Sequence, residues 1–355
     1  VMCLALLVFP GRLSTPTGGY AYDREVLARL PAHGVEAAPL SLDGAFPHPA
    51  PTDVAAALDR LKSSDSKALL LVDGLALGAL PADGLAQFAD RLVALVHHPL
   101  ALEEGLDPGQ SRRLLASETA ALALARAVIT TSPATRRTLE ADFAVPADRL
   151  VVAEPGTDRV DRAPADGAPP RLLCVGSVIP RKGYDVLVAA LAGLKDLPWS
   201  LTLIGSLDLD PAASAALRQA IAVAGLGDRI VLSGAVDRER LAAAYRDSDL
   251  FVHPSLYEGY GMVLAEALRH GLPLVCTTGG AACETVPDGA GLKVAPGDPS
   301  ALAAALRRLL SAPRERRVLA DAAFAAGRRL PGWDDTAARI AAVLRRVAQA
   351  RKETQ

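Results

Sequence analysis

The sequence predicts an α/β protein of two doubly wound parallel-sheet domains that face a central cleft. Three observations carry this expectation. At 355 residues the chain is longer than one comfortable core, since domains run to roughly 100–200 residues. Short apolar runs bounded by turn residues alternate with longer amphipathic stretches along its length, which is the pattern of βαβ units and a parallel sheet. Between Thr157 and Pro170 this alternation collapses into TDRVDRAPADGAPP, a composition that suits a linker.

In chain order, the first half offers the strands CLALLVF, ALLLVDG, LVALVHH, AVITTS and RLVVAEPG. Helical patterns such as GYAYDREVLARLPAHG and SRRLLASETAALALARA lie between them. Beyond the linker the alternation restarts with RLLCVGSV, SLTLIGS, RIVLSGAV, DLFVHPS, LPLVCTT and GLKVAPG, and a last helix, DDTAARIAAVLRRVAQARK, follows Pro331. The expected organisation is a first domain over 1–165, a second over 166–333 and a terminal helix over 334–355. No repeat links the halves.

Composition excludes several classes. Hydrophobic residues make up 50% of the chain and the formal net charge is −2, so cores are well supplied and no nucleic-acid footprint exists. Cys3, Cys174, Cys276 and Cys283 form no C-x-x-C pair and have no histidines at zinc spacing, which predicts reduced thiols and a cytoplasmic protein. The opening VMCLALLVFPG lacks a basic leader and breaks at Pro10-Gly11, so it is read as a buried strand.

In open parallel sheets ligands bind beyond the carboxyl ends of the strands, so chemistry is sought there. After LLCVGSVIP come Arg181, Lys182 and Gly183. Two cations at a helix start are disfavoured by its dipole, by ~0.3–1 kcal/mol, and suit a phosphate or diphosphate. After DLFVHPS, a loop carries Glu258, then the turn Gly259-Tyr260-Gly261 and an apolar helix carrying Glu266. The glycines and the helix start favour an anion. Ionised carboxylates accept hydrogen bonds that sugar hydroxyls donate. Glutamates on either side of a diphosphate therefore describe a nucleotide sugar. The apolar neighbours of Glu266 predict that it is buried.

These residues resemble a known family. EGYGMVLAE is similar to the E-x7-E motif of family 4 retaining glycosyltransferases, whose GT-B fold has two Rossmann-like domains. TGGY, LVHH, VITTS, VVAEPGTD, VGSVIPRKGYDVLVAAL and TTGGAACETV agree in order and spacing, so the resemblance spans essentially the whole chain. It implies that Glu258 bonds donor-sugar hydroxyls together with the backbone of Gly259, Tyr260, Gly261, Met262 and Val263, and that Glu266 bonds the ribose. Arg181 and Lys182 would hold the diphosphate as it leaves. His97 maps to a histidine that contacts the donor sugar, with His98 where the family often has aspartate. Gly18 and Gly19 map to a glycine loop near donor and acceptor. Thr131, Ser132 and Glu284 are assigned to the donor site on weaker grounds, and the GTD at 156–158 maps to a G-x-D before the linker. The resemblance also implies that the last helix crosses back to the first domain.

The expected activity is metal-independent transfer of a sugar from a UDP- or GDP-linked donor to an acceptor hydroxyl, with no cofactor. Asp208-x-Asp210 resembles a metal-binding pattern of another glycosyltransferase fold, and is read as a solvated loop. Acceptor contacts are expected around Gly18 to Tyr22 and Pro99 to Pro108. Basic helices such as RIAAVLRRVAQARK keep peripheral membrane contact at the cytosolic face in view. Competing readings are a GT-B epimerase or phosphorylase and a silent nucleotide-sugar binder. A nicotinamide dehydrogenase is disfavoured because neither FPGRLSTPTGG nor VGSVIPRKG is a G-x-G-x-x-G.

Overall fold

The computed structural model describes residues 3–103 and 105–354. The chain divides into two compact units, Val1–Gly156 with Pro331–Gln355, and Thr157–Leu330. In the first unit, strands β1 (Cys3–Pro10), β2 (Val35–Leu42), β3 (Leu69–Asp73), β4 (Leu92–Val96), β5 (Ala127–Thr130) and β6 (Leu150–Val152) form a six-stranded parallel sheet in the order β2-β1-β3-β4-β5-β6. The second holds β7 (Arg171–Val175), β8 (Ser200–Ile204), β9 (Ile230–Leu232), β10 (Leu250–His253), β11 (Leu274–Thr277) and β12 (Gly291–Val294), also parallel, in the order β12-β11-β10-β7-β8-β9. The expected fold class, α/β of the GT-B type with doubly wound sheets, is the one found.

The strands read as continuous apolar runs because helices cover both sheet faces. In the second sheet, Leu172, Cys174, Leu250 and Val252 pack on one side against Leu187, Leu191 and Leu306. Their chain neighbours Leu173, Val175 and Phe251 pack on the other against Leu264, Leu268 and Ala323. That alternation is the period of two of a strand. In each sheet the winding reverses once, between β1 and β3 in the first and between β7 and β10 in the second. Such reversals leave a crevice at the carboxyl ends of the two strands, which is where ligands bind in this architecture.

The unit boundaries, 156/157 and 330/331, differ from the 165/166 and 333/334 expected from composition. The reason lies in hydrogen bonding. The Tyr22 hydroxyl donates to Ala153 O at 2.9 Å and Thr336 Oγ1 donates to Glu154 O at 2.7 Å, fixing the chain up to Gly156 in the first unit. From there Ala163 N donates to His270 O at 2.8 Å, and the buried Asp249 carboxylate accepts from Gly167 N and Arg171 N, both at 2.7 Å. The polar stretch read as a linker is therefore a strap bound to the second unit. Gly156 must be glycine, since a Cβ there would lie 2.3 Å from Trp333 N.

The last helix, Trp333–Thr354, belongs to the first unit, seated on the helix Gly18–Arg29 and on β1, β2 and β5. Trp333, Ala337, Ile340, Ala341, Leu344 and Val347 form its buried stripe, at the spacing of one helix face. Trp333 meets the Tyr22 ring edge-on at 5.8 Å. No helix among the described residues is long and apolar enough to cross a membrane. The four cysteines are unpaired, and burial pushes Cys174 and Cys276 up to about 12.

Leu344→Ala should lower the stability of the first unit by ~2–5 kcal/mol through lost burial and the cavity left behind. Urea denaturation followed by Trp333 fluorescence in a Trp199→Phe background reads that unit alone, and an unchanged midpoint would show that the helix is not seated as described.

Candidate active site

At the reversal of the second sheet, the chain after β7 runs through a single 3-10 turn, Pro180–Lys182, closed by Gly183 in the left-handed region at φ +63°. No side chain fits at 183, where a Cβ would lie 2.3 Å from Pro254 O. That close approach lets Leu256 N donate to Arg181 O at 2.8 Å, tying the cation turn to the segment after β10. A third segment joins them after β11. Glu258 pairs with Gly280 as an isolated bridge, and Ala281 N donates to Glu258 O at 2.8 Å. Cβ atoms at Gly279 and Gly280 would lie 2.1 Å from Leu256 O and 2.3 Å from Glu258 O.

Around the Glu258 carboxylate these segments gather three hydrogen-bond donors and a further cation, all directed at Oε1. Lys182 Nζ lies at 2.5 Å, Ser255 Oγ at 2.7 Å, His253 Nε2 at 2.8 Å and Arg181 NH1 at 3.8 Å. Burial opposes ionisation of Glu258, but Lys182, the His253 hydrogen bond and Arg181 overcome it and hold the carboxyl well below its usual range. Burial, with Lys182 and Arg181 nearby, lowers His253. His253 is therefore a neutral ring donating from Nε2. Arg181 also donates to Tyr257 O at 2.7 Å.

Past the Gly259-Tyr260-Gly261 turn, Gly261 caps the helix Met262–His270 at φ +86°. Its first-turn N–H groups precede the helix's own bonds. Glu266 is half-buried where the sequence predicts burial, and the buried Tyr245 hydroxyl donates to its Oε2 at 2.7 Å. Burial pushes Glu266 up to about 7, against the pull of that hydrogen bond. His270 stacks on the Tyr245 ring at 4.8 Å.

In the first unit, β3 and β4 deliver Asp73 and His97, and the helix Gly18–Arg29 delivers Asp23. His97 Nε2 lies 3.1 Å from Asp23 Oδ1 and 3.7 Å from Asp73 Oδ2. Gly19 belongs to the same cluster, since a Cβ there would lie 3.4 Å from His97 Cδ2. Gly18 is the exposed first residue of that helix. Both aspartates are buried, and together with His97 they offer ligand atoms within 4.8 Å of one another. Glu118 fixes the chain beyond His98, accepting from Leu100 N and Ala101 N at 2.8 Å each. Residue 104 of the expected acceptor segment lies outside the described residues.

The other expected residues have contacts of their own. The Ser132 hydroxyl accepts from Thr135 N at 3.0 Å as a helix cap, and Thr131 Oγ1 donates to His97 O at 3.4 Å. His98 faces Glu103 at 3.4 Å. Glu284 is exposed on the short helix Ala282–Thr285, and Asp158 is exposed and paired with Arg238. Asp210 caps the helix Pro211–Val223 by accepting from Ala213 N at 2.9 Å, which accounts for half of Asp208-x-Asp210. The sequence reading missed His253, Ser255 and Tyr245 in the second unit, and Asp23 and Asp73 in the first. His253 and Asp73 are the last residues of their strands, so the strand-end rule could have found them.

Two doubly wound units, one with cations and a buried glutamate beside a helix start at its sheet reversal, define a protein of the GT-B class. The family described as Glycosyl transferases group 1 matches residues 169–312. The MMP alpha-(1->4)-mannosyltransferase of Mycolicibacterium hassiacum is 31% identical over 279 residues, covering 73% of this chain and 67% of that relative. The chain belongs to this glycosyltransferase family. It spans 45% to 64% of the length of several D-inositol 3-phosphate glycosyltransferases that it also matches. Among solved structures, sucrose-phosphate synthase from Thermosynechococcus elongatus superposes with a TM-score of 0.83 at 23% identity, over 98% of this chain and 100% of that one. Anabaena HepE in complex with UDP-glucose gives 0.71 at 20% identity, over 99% and 98%.

Gly280→Ala should displace the Glu258 segment, because its Cβ meets backbone rather than a flexible side chain. The melting temperature should fall by several degrees while the circular dichroism spectrum keeps its shape. A wild-type melting temperature in this variant would refute the close packing at 258–280.

Proposed function

We propose that the protein is a retaining hexosyltransferase that moves a sugar from a UDP- or GDP-linked donor to an acceptor hydroxyl without a metal ion or cofactor. The observation that carries the proposal is the convergence of Lys182, His253, Ser255 and Arg181 on one oxygen of Glu258, beside the glycine-led start of the helix bearing Glu266. In this reading the diphosphate lies against the first-turn N–H groups of that helix, where the positive dipole end favours an anion. Arg181 and Lys182 meet it, Arg181 by paired hydrogen bonds and Lys182 as a point charge. Glu258 keeps Oε2 for donor-sugar hydroxyls, and Glu266 accepts from the ribose. The UDP-glucose complex of HepE and the glycosyl-transfer names of the relatives support such a donor.

The acceptor oxygen forms its bond to the anomeric carbon on the face from which the diphosphate departs. The breaking carbon–oxygen bond leaves its electron pair on the phosphate, which takes the acceptor's proton. Lys182 and Arg181 stabilise the charge that develops there, an effect of ~3–4 kcal/mol per donor lost. His97 contacts the donor sugar.

Calorimetric titration with UDP and GDP in the absence of metal should give micromolar binding of one of them, and Glu266→Ala should weaken it at least tenfold, ~1.4 kcal/mol. If neither nucleotide binds, the donor assignment falls. Because burial pushes Glu266 up to about 7, affinity should rise as pH climbs through that value and the stronger, ionised acceptor forms. Glu266→Gln should flatten this dependence. Turnover should survive chelation, and a loss restored by manganese or magnesium would overturn the metal-free mechanism.

A further inference from the structure

The first unit buries two carboxylates against one imidazole, and nothing in the transfer chemistry above uses them. Asp23 and Asp73 are 0% and 2% exposed, and Asp23 Oδ2 is buried with no hydrogen-bond partner among the described residues. The two carboxylates and the His97 ring bring one atom each within 4.8 Å of one another. Two buried carboxylates this close do not both ionise readily, so a single proton held between them is the favoured state. Asp73 Oδ1 also accepts from Leu75 N at 2.7 Å, which fixes its orientation.

We propose that Asp23 and Asp73 are positioning residues that share one proton, clamp His97 through Nε2 as an imidazolium, and leave its Nδ1–H as the donor presented to a ligand. This rests on the reading that His97 contacts the donor sugar. The shared proton gives the cluster one negative and one positive charge, so it is neutral overall. A neutral ring donating from Nε2 would offer only a lone pair at Nδ1, whereas the imidazolium donates from both nitrogens. The ring cannot easily turn away, because Tyr22 meets it edge-on at 5.0 Å.

The groups around His97 agree with this charge state. From the helix Gly18–Arg29 it faces Asp23 and the edge of the Tyr22 ring, and the hydroxyls of Tyr20 and Tyr22, which donate to Pro10 O and Ala153 O, are held protonated by burial and by the neighbouring aspartates. From β3 it faces Asp73, and its own loop carries His98 with Glu103. Burial alone would lower His97, but Asp23, their hydrogen bond and Asp73 raise it instead. Burial and the neighbouring Asp23 charge push Asp73 up to about 7.

Nuclear magnetic resonance of the full-length protein labelled with nitrogen-15 histidine reads the charge of His97 directly, with no need for activity. In the wild type the ring should remain an imidazolium at neutral pH. Asp23→Asn should lower its proton affinity at least tenfold, whereas Asp73→Asn, which imitates the protonated partner, should leave the ring charged. The infrared band of protonated carboxyl groups at neutral pH should lose intensity in Asp73→Asn. With a working donor assay, Asp23→Asn should lower kcat/KM at least tenfold and displace its pH profile. A neutral His97 in the wild type, which needs no variant to detect, would overturn the proposal. So would one equivalent of a divalent metal in the purified protein that Asp73→Asn removes. If His97 behaves as stated while no nucleotide sugar is turned over, the clamp stands and the transferase reading falls.

Discussion

A carboxylate taken out of water has to be surrounded by donors, and Glu258 meets that requirement through a single oxygen. Lys182, Ser255 and His253 lie 2.5–2.8 Å from Oε1. An unmatched buried charge costs several kcal/mol, and removing one partner of such a group costs more than the pair itself contributes. Those donors come from the ends of two strands, and a third segment, following β11, braces the loop between them. Three stretches of backbone must therefore approach within van der Waals limits. The glycines at 183, 279 and 280 follow from that demand, since each faces a carbonyl oxygen at 2.1–2.3 Å from where a Cβ would be. Sheet order supplies the rest, by setting β7 beside β10 where the winding reverses.

The two reversal points differ in their electrostatics. In the second unit the cations Lys182 and Arg181 outnumber the one carboxylate they surround, so the site has positive charge to spare for an anion. In the first unit two carboxylates face one imidazole, and with a single proton held between the carboxylates that cluster carries no net charge and offers an anion no such attraction.

Much of this was legible in the sequence, for identifiable reasons. Strands buried on both faces announce themselves as apolar runs, and RLLCV, LFVH and LVCT lie where those runs predict. The Glu258 to Glu266 stretch was legible because glycine, acid and helix pattern coincide within it. The partners of Glu258 were less so, since His253 and Ser255 are single residues whose meaning comes from a fold that aims them at one atom. Asp23 was harder still. It sits on a helix among tyrosines with no local signature, and only the approach of that helix to His97, just beyond β4, gives it a role. The strap after Thr157 misled for a different reason. Its composition is that of a linker, but Asp249, far along the chain, supplies the acceptor that ties it down.

The seating of the helix Trp333–Thr354 on the first unit makes that unit discontinuous, with the whole second unit inserted between its parts. During synthesis the segment Thr157–Leu330 has every strand of its sheet available before the ribosome reaches Trp333, whereas β1, β2 and β5 wait with the apolar surface that this helix later covers. Proteins fold domain by domain as they emerge, and transiently exposed apolar surface is where chains aggregate. The earlier-made half is thus the later one to finish, and its need for a chaperone should last until translation has passed the final buried turn.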